Sequence, residues 1–236
     1  MREFLSTVER KLHGVIGSKK QKVFSKIYVK NRWNNKESLS GPGSTIKYTE
    51  NLRNHLPALI QKFNIKSILD APCGDLNWMK LVLDEVDVDY TGADIVLLLV
   101  NKLKAEFSGD RMRFLHLDIT KDPLPAVDLM LCRDCLFHLP EKEIMAFFSN
   151  FLKSGIPFLL TSTHINDDDF ENTDIKIGGF RLIDLCSHPY HLPSIPLAAI
   201  DDWVAPFPPR RLCLWDREQI STALNGKPLE AAGLTM

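Results

Sequence analysis

Three aspartates stand at equal spacing through the first half of the chain: Asp70, Asp94 and Asp118. Each closes a short apolar run, in Ser67-Ile-Leu-Asp70, Tyr90-Thr-Gly-Ala-Asp94 and Phe114-Leu-His-Leu-Asp118. An ionised carboxylate at the tip of such a run can accept hydrogen bonds from hydroxyl or amino groups, and charged acceptors form the stronger bonds. Arg133, Asp134 and His138 follow a fourth run, and His164 closes a fifth. A histidine titrates near neutral pH and is the natural group to take a proton from a hydroxyl. His138 and His164 are therefore candidate bases. Asp134 is either a third or the partner of Arg133. His138 has a second reading, in which it packs or caps the helix that follows.

The elements that must carry these groups are legible from the same runs. Ser67 to Met79 reads as a strand, a turn of small residues (Ala71, Pro72, Cys73, Gly74) and a helix that starts at Asn77-Trp78-Met79. Small residues let a ligand approach the backbone, and the helix N–H groups face an anionic group. A dinucleotide fingerprint requires G-x-G-x-x-G directly after the strand, and Gly74 alone does not supply it. Asp94 ends the second strand, about 20 residues beyond the turn, where an acid can take both hydroxyls of a ribose; its other reading is a helix N-cap. Helices over 96–107 and 141–152 alternate with strands at 113–120, 127–132 and 157–164. This rhythm predicts a doubly wound parallel sheet with its ligand at the strand C-termini.

Outside that core, residues 1–30 place apolar side chains at helical spacing with lysines and arginines on the other faces, as two amphipathic helices of a cap. Trp33 to Thr49, with Glu37 and Ser40-Gly-Pro-Gly-Ser-Thr45, is a loop that reads either as a linker or as a cover over a ligand. A helix then carries Leu52, Leu56, Leu59, Ile60 and Phe63 on one face. Residues 165–200 break the α/β rhythm and read as a lid or substrate wall. Asp167 to Asp169 read as a solvated acidic loop, and Trp33, Asp174, Arg181 and Tyr190 are candidate substrate contacts. Leu212 to Trp215 reads as the last strand, and the residues from Asn225 onward as a loose end.

The chain has 236 residues and a net charge of −1, which gives no basic footprint for nucleic acid. No apolar run is long enough to span a bilayer, and no signal-peptide pattern is present, so a cytoplasmic location is expected. The five scattered cysteines read as reduced thiols. Cys132-Arg-Asp-Cys135 with His138 invites a zinc reading, but a fourth ligand at close spacing is missing and no metal is expected.

The ordered set S-I-L-D-A-P-C-G-D, Y-T-G-A-D-I-V, F-L-H-L-D-I-T, D-L-M-L-C-R-D-C-L-F-H-L and F-L-L-T-S-T resembles a bacterial group of class I methyltransferases that use S-adenosylmethionine (SAM). The resemblance covers about residues 33–216 and includes the S-G-P-G-S-T loop. Asp70 and Gly74 match the D/E-x-G-x-G-x-G motif of that class, while Pro72, Leu76 and the run Leu97-Leu98-Leu99 depart from it. The resemblance implies a three-layer Rossmann-like α/β fold. Its seven-stranded, mainly parallel sheet would have an antiparallel terminal strand, with the N-terminal helical cap added. It implies a single domain, with cap and loop over 1–60, a SAM-binding core over 61–236 and a lid over about 165–200. SAM would be bound, and S-adenosylhomocysteine released, by Asp70, Ala71, Pro72, Cys73, Gly74, Trp78, Asp94, Ile95, Asp118, Ile119 and Arg133. In that scheme Asp118 holds the adenine amino group and Ile119 packs on the ring. The expected activity is methyl transfer to a small-molecule or sugar-like acceptor, at a hydroxyl oxygen, with His138, Asp134 or His164 as base. Alternatives are a SAM-binding protein without turnover and, less well supported, a nicotinamide-linked oxidoreductase.

Overall fold

The computed structural model describes residues 17–225. The first of the two helices expected over residues 1–30 lies largely outside them, as does the tail beyond Asn225. Helix α1 (Lys19–Val29) starts where the Ser18 hydroxyl accepts the Gln21 N–H at 3.2 Å, an N-cap that satisfies one orphan donor of the first turn. The loop 30–49 follows, with a short 3-10 turn at Pro42–Ser44. Helix α2 (Glu50–Lys62) buries Leu52, Leu56, Leu59 and Ile60 on one stripe. It packs on the sheet, so the core takes in residues on both sides of position 60.

Then the α/β alternation begins: β1 (Ser67–Asp70), α3 (Met79–Leu83), β2 (Asp89–Asp94), α4 (Leu97–Phe107), β3 (Met112–His116) and β4 (Leu129–Cys132). Helix α5 (Glu141–Ser154) and β5 (Phe158–His164) complete the parallel part. The expected third strand thus stops at His116, and Asp118 and Ile119 sit in the turn beyond it. Two strands follow the irregular segment, β6 (Ala198–Asp201) and β7 (Arg210–Asp216). The start of β6 lies inside the stretch read from sequence as lid, because its Ala-Ala-Ile-Asp is too short to show a period. Helix α6 (Arg217–Leu224), unforeseen from the sequence, opens with a capping box between Asp216 and Gln219.

The seven strands run in the order β3-β2-β1-β4-β5-β7-β6. β7 is antiparallel to both β5 and β6, and the other neighbours pair in parallel. Alternate residues feed opposite faces. Ile68, Leu129 and Leu131 join the apolar layer with α2, α3 and α4. Leu69, Met130 and Cys132 join the layer with Phe147, Phe148 and Phe151 of α5. Three layers result, with both faces of the sheet covered, which is why β4 is buried throughout and β5 from its second residue on. The chain reverses its winding between β1 and β4. In open α/β sheets a ligand crevice lies at that point, at the strand C-termini.

Candidate active site

A cleft enclosing about 830 Å³, its open mouth included, lies at that crevice. Its floor is the turn after β1. Gly74 has φ +56°, in the left-handed region, and a Cβ there would collide with the Ser40 hydroxyl. Glycine is therefore required for the backbone fold and for the close approach of the loop. That loop is not a free linker. Ser38 Oγ and Leu39 N donate to the Asp75 carboxylate at 2.9 and 2.7 Å, and Asp75 N donates to Ser40 Oγ at 2.9 Å. Glu37 accepts from Ile46 N at 2.6 Å and from Asn77 Nδ2 at 2.8 Å. Gly43 O accepts from Arg133 Nη2 at 2.7 Å. Trp33, Leu39, Ser40 and Ser44 thus become a wall of the cleft.

Asp70 and Asp94 face the same space. Tyr90 Oη donates to Asp70 Oδ2 at 2.7 Å. Burial pushes the Asp70 carboxyl up to about 7, against the pull of that bond and of the Arg133 charge. Burial likewise pushes Asp94 up to about 6, against the N–H groups of Val96 and Gly74. Val96 N donates to Asp94 Oδ1 at 2.8 Å, a local turn bond ahead of α4; the N-cap of that helix is Val96 itself, which corrects the capping reading of Asp94. Two buried acids with raised pKa gain most from a ligand that brings positive charge or several donors.

A second lobe of about 340 Å³ continues from Pro72, Asp94 and Ile95 to Asp118 and Ile119. Asp118 Oδ1 takes Lys20 Nζ at 2.9 Å and Thr120 Oγ1 at 2.8 Å. Burial raises the Asp118 carboxyl, but the Lys20 and Thr120 bonds outweigh it and hold the group below its usual range. Asp118 Oδ2 is buried and has no partner. A buried carboxylate oxygen left open is costly, and it has room for one more donor. Helix α1 roofs both lobes with Phe24 and contributes Tyr28 to the first and Lys20 to the second. These α1 residues were not foreseen as site residues. Phe24 and Tyr28 read as an ordinary apolar stripe, and nothing in the pattern singles out Lys20 from its neighbouring lysines.

Of the remaining expected cofactor contacts, Pro72, Cys73, Gly74, Trp78, Ile95 and Arg133 line the main cleft. Ala71 does not. It is fully buried, and its N–H completes the sheet on Leu131 O at 2.9 Å. Arg133 lies with its guanidinium 5.3 Å from the Trp78 ring and bonds both oxygens of the buried Asp202, at 2.8 and 2.9 Å.

The candidate bases separate. His138 lines the cleft, and its Nδ1 lies 2.6 Å from Gly179 O. A carbonyl only accepts, so the proton sits on Nδ1 and the lone pair on Nε2. Burial, with the charges of Arg210 and Arg181, lowers the His138 pKa against the Gly179 bond and Asp134. The ring is neutral near pH 7. His164 does not line the cleft. Its Nδ1 accepts from Ile183 N at 3.1 Å, its ring packs on Phe137 and Phe180, and burial lowers its pKa to about 4. Asp134 lines the cleft but accepts from Arg210 Nη2 at 2.8 Å, with Arg133 Nη1 at 3.6 Å. Burial raises its carboxyl, and those two guanidiniums more than reverse the effect. An acid held ionised in this way is a poor proton acceptor, which corrects its reading as a base.

Three of the four expected substrate contacts also turn out to be structural. Asp174 Oδ1 accepts the Glu141 N–H at 2.7 Å and so caps α5. Arg181 Nη1 donates to Leu139 O at 2.7 Å, and Tyr190 is buried against Phe148. None of the three lines the cleft, whereas Trp33 does. Among the described residues no group of three or more His, Cys, Asp or Glu side chains is placed to hold a metal ion.

Residues 68–155 match the family model of a methyltransferase domain. That stretch of the chain matches a methyltransferase domain, and the sheet that holds it has the Rossmann-like fold of the class I methyltransferases. Among solved structures, it is similar to a SAM-dependent methyltransferase of Leishmania major, at 13% identity over 80% of this chain and 82% of that one, with a TM-score of 0.59. It is also similar to the 1,6-didemethyltoxoflavin-N1-methyltransferase of Burkholderia thailandensis, whose structure holds 1,6-didemethyltoxoflavin and S-adenosylhomocysteine. There the identity is 15% over 83% of this chain and 86% of that one, with a TM-score of 0.58. The methyltransferase domain spans a smaller part of human N-acetylserotonin methyltransferase. That match has 18% identity over 51% of this chain and 36% of that one, with a TM-score of 0.44. At these identities the likeness is one of fold. No curated protein sequence matches the chain. The orphaned Asp118 oxygen, the Gly74 cradle and the buried acids Asp70 and Asp94 all fit SAM, which brings an adenine amino group, ribose hydroxyls and two positive charges.

Proposed function

We propose that this methyltransferase acts on a hydroxyl oxygen of a small-molecule acceptor, with His138 Nε2 as the proton acceptor, and works in the cytoplasm. Among the described residues no helix is long and apolar enough to cross a membrane. When bound, SAM supplies a methyl group made electrophilic by its sulfonium, so the protein has mainly to align the acceptor and remove its proton. Asp94 would hold the ribose and Asp118 the adenine amino group. The acids of the first lobe favour the cationic end. The single observation that carries the reading is the 2.6 Å contact from His138 Nδ1 to Gly179 O, which leaves Nε2 as a lone pair on the wall that Asp70 and Asp94 share. Asp134 keeps its charge through Arg210 and raises the basicity of His138 only through space.

The test is transfer of labelled methyl from SAM to a panel of hydroxyl-bearing small molecules by the wild type and His138→Gln. Loss of a general base is expected to lower kcat by about 10²–10⁴-fold at pH 7. The deficit should shrink as pH rises toward the acceptor's own pKa, and affinity for S-adenosylhomocysteine should stay within about two-fold. Equal turnover by the two proteins would remove His138 from the chemistry.

A further inference from the structure

We infer that the acceptor is a planar aromatic molecule bearing a ring hydroxyl, seated in the cleft on Trp33 and His138 and reaching out to the exposed ring of Phe180, which stands outside the cleft lining. This rests on the methyltransferase reading above and narrows its acceptor class.

Rings from separate elements converge on His138. Trp33, from the loop after α1, has its ring centroid 5.8 Å away with the planes tilted by 34°. Phe137 packs edge-on at 4.7 Å, and Phe180, from the irregular segment after β5, lies at 6.1 Å. Phe180 is 58% exposed, although the same ring also packs on Phe137 and His164. An aromatic side chain this exposed beside a site's base offers a face to a partner ring, and ring pairs prefer the offset or edge-on contacts that this array leaves open.

The polar groups nearby are engaged with one another. Asp134 is bonded to Arg210 and accepts the Ser162 hydroxyl at 3.4 Å. Arg133 is bonded to Asp202 and to Gly43 O, and Ser40 is bonded to Asp75. A sugar buried here would find few donors and acceptors to replace the water it loses, which is costly for each hydroxyl. A flat ring with a single hydroxyl has one polar group to satisfy, and His138 Nε2 accepts from it.

The chemistry agrees. His138 has a carbonyl, not a carboxylate, behind Nδ1 and faces the guanidiniums of Arg210 and Arg181 as well as Asp134. A base weakened in this way matches a hydroxyl as acidic as a phenol, about pKa 10, far better than an alcohol. The ring hydroxyl gives its proton to His138 Nε2, and a lone pair of its oxygen forms the new O–CH3 bond. The electron pair of the broken C–S bond stays on sulfur, so S-adenosylhomocysteine leaves uncharged at that atom and the imidazolium later returns its proton to water.

The experiment is calorimetric titration of the protein, saturated with S-adenosylhomocysteine, by 2-naphthol and by methyl α-D-glucopyranoside. The wild type should bind 2-naphthol and not the glucoside. Phe180→Ala, at an exposed position, should weaken naphthol binding about five-fold or more while the affinity for S-adenosylhomocysteine stays within about two-fold. Trp33→Ala should weaken naphthol binding as well. Tighter binding of the glucoside, no binding of 2-naphthol, or naphthol affinity untouched by both substitutions would overturn the inference and leave the methyltransferase reading standing. Failure of S-adenosylhomocysteine itself to bind the wild type would overturn both.

Discussion

The ends of β1 and β2, and the turn after β3, present carboxylates to the cleft; the segments after β4 and β5 present rings and arginine–aspartate pairs. In the first region each acid keeps something open. Asp118 Oδ2 has no partner, and Asp70 and Asp94 have their pKa raised by burial. In the second region the charges are closed on one another, Arg133 and Arg210 on Asp202 and Asp134, and the lone pair that stays free is on His138. The difference separates a half that is built to be completed by a polar, cationic ligand from a half already complete in charge. That second half can offer only shape, rings and one proton acceptor. The loop 38–45 joins the two, bonding Asp75 on one side and Arg133 on the other.

Removing one partner of a buried pair should cost most where the charges are closed. Asp202 is fully buried between two guanidiniums, and Asp202→Asn is expected to lower unfolding stability by about 3–5 kcal/mol. Lys20→Met, which removes the cation beside Asp118, should cost less because the Glu143 side chain on its other flank is 28% exposed. It should also loosen α1 and weaken S-adenosylhomocysteine binding, which Asp202→Asn should affect less. Urea unfolding with and without that ligand checks the order, and equal losses would erase the distinction between the halves.

Opposite pH slopes sharpen the same contrast without ligand. His164 has its pKa lowered to about 4, chiefly by burial. The stability this contributes is fully present above about 6.5 and is lost as pH falls toward 4. Asp94 has its pKa raised to about 6, also by burial. Its contribution is fully present below about 4 and is lost as pH rises through 6. Relative to the wild type, Asp94→Asn should therefore gain stability from pH 4 to pH 8 and His164→Gln should lose it. Each change is on the order of 3 kcal/mol. Slopes of the same sign would contradict the assignment of buried ionisable groups without a counter-charge bonded to them to the two regions.

The carboxylate half was legible in the sequence because Asp70 and Asp94 end their own strands and Asp118 follows the third within two residues, and strand ends follow from local apolar runs. Ile68-Leu69-Asp70 and Ala93-Asp94 carry their addresses within a few residues. The other half was not, because its partners are chosen across the chain. Arg181 and Tyr190 read as substrate contacts in a lid, but the fold uses them inside, Arg181 on Leu139 O and Tyr190 against Phe148. His138 and His164 have the same local look; only the arrival of Gly179 and Ile183 decides which ring nitrogen is free and which ring faces the cleft. Phe24 and Tyr28 were visible as an amphipathic stripe, but no local signal tells that this stripe roofs a ligand rather than a core.

The most direct test is thermal unfolding of the wild type and Asp94→Asn with and without S-adenosylhomocysteine. The asparagine keeps an acceptor for the Val96 N–H but cannot take both ribose hydroxyls. At about 100 times its dissociation constant the ligand should stabilise the wild type by about 2.7 kcal/mol, and at the same concentration the variant should show little of that shift. A full shift in Asp94→Asn, or none in the wild type, would contradict the placing of the cofactor on the carboxylates of this cleft.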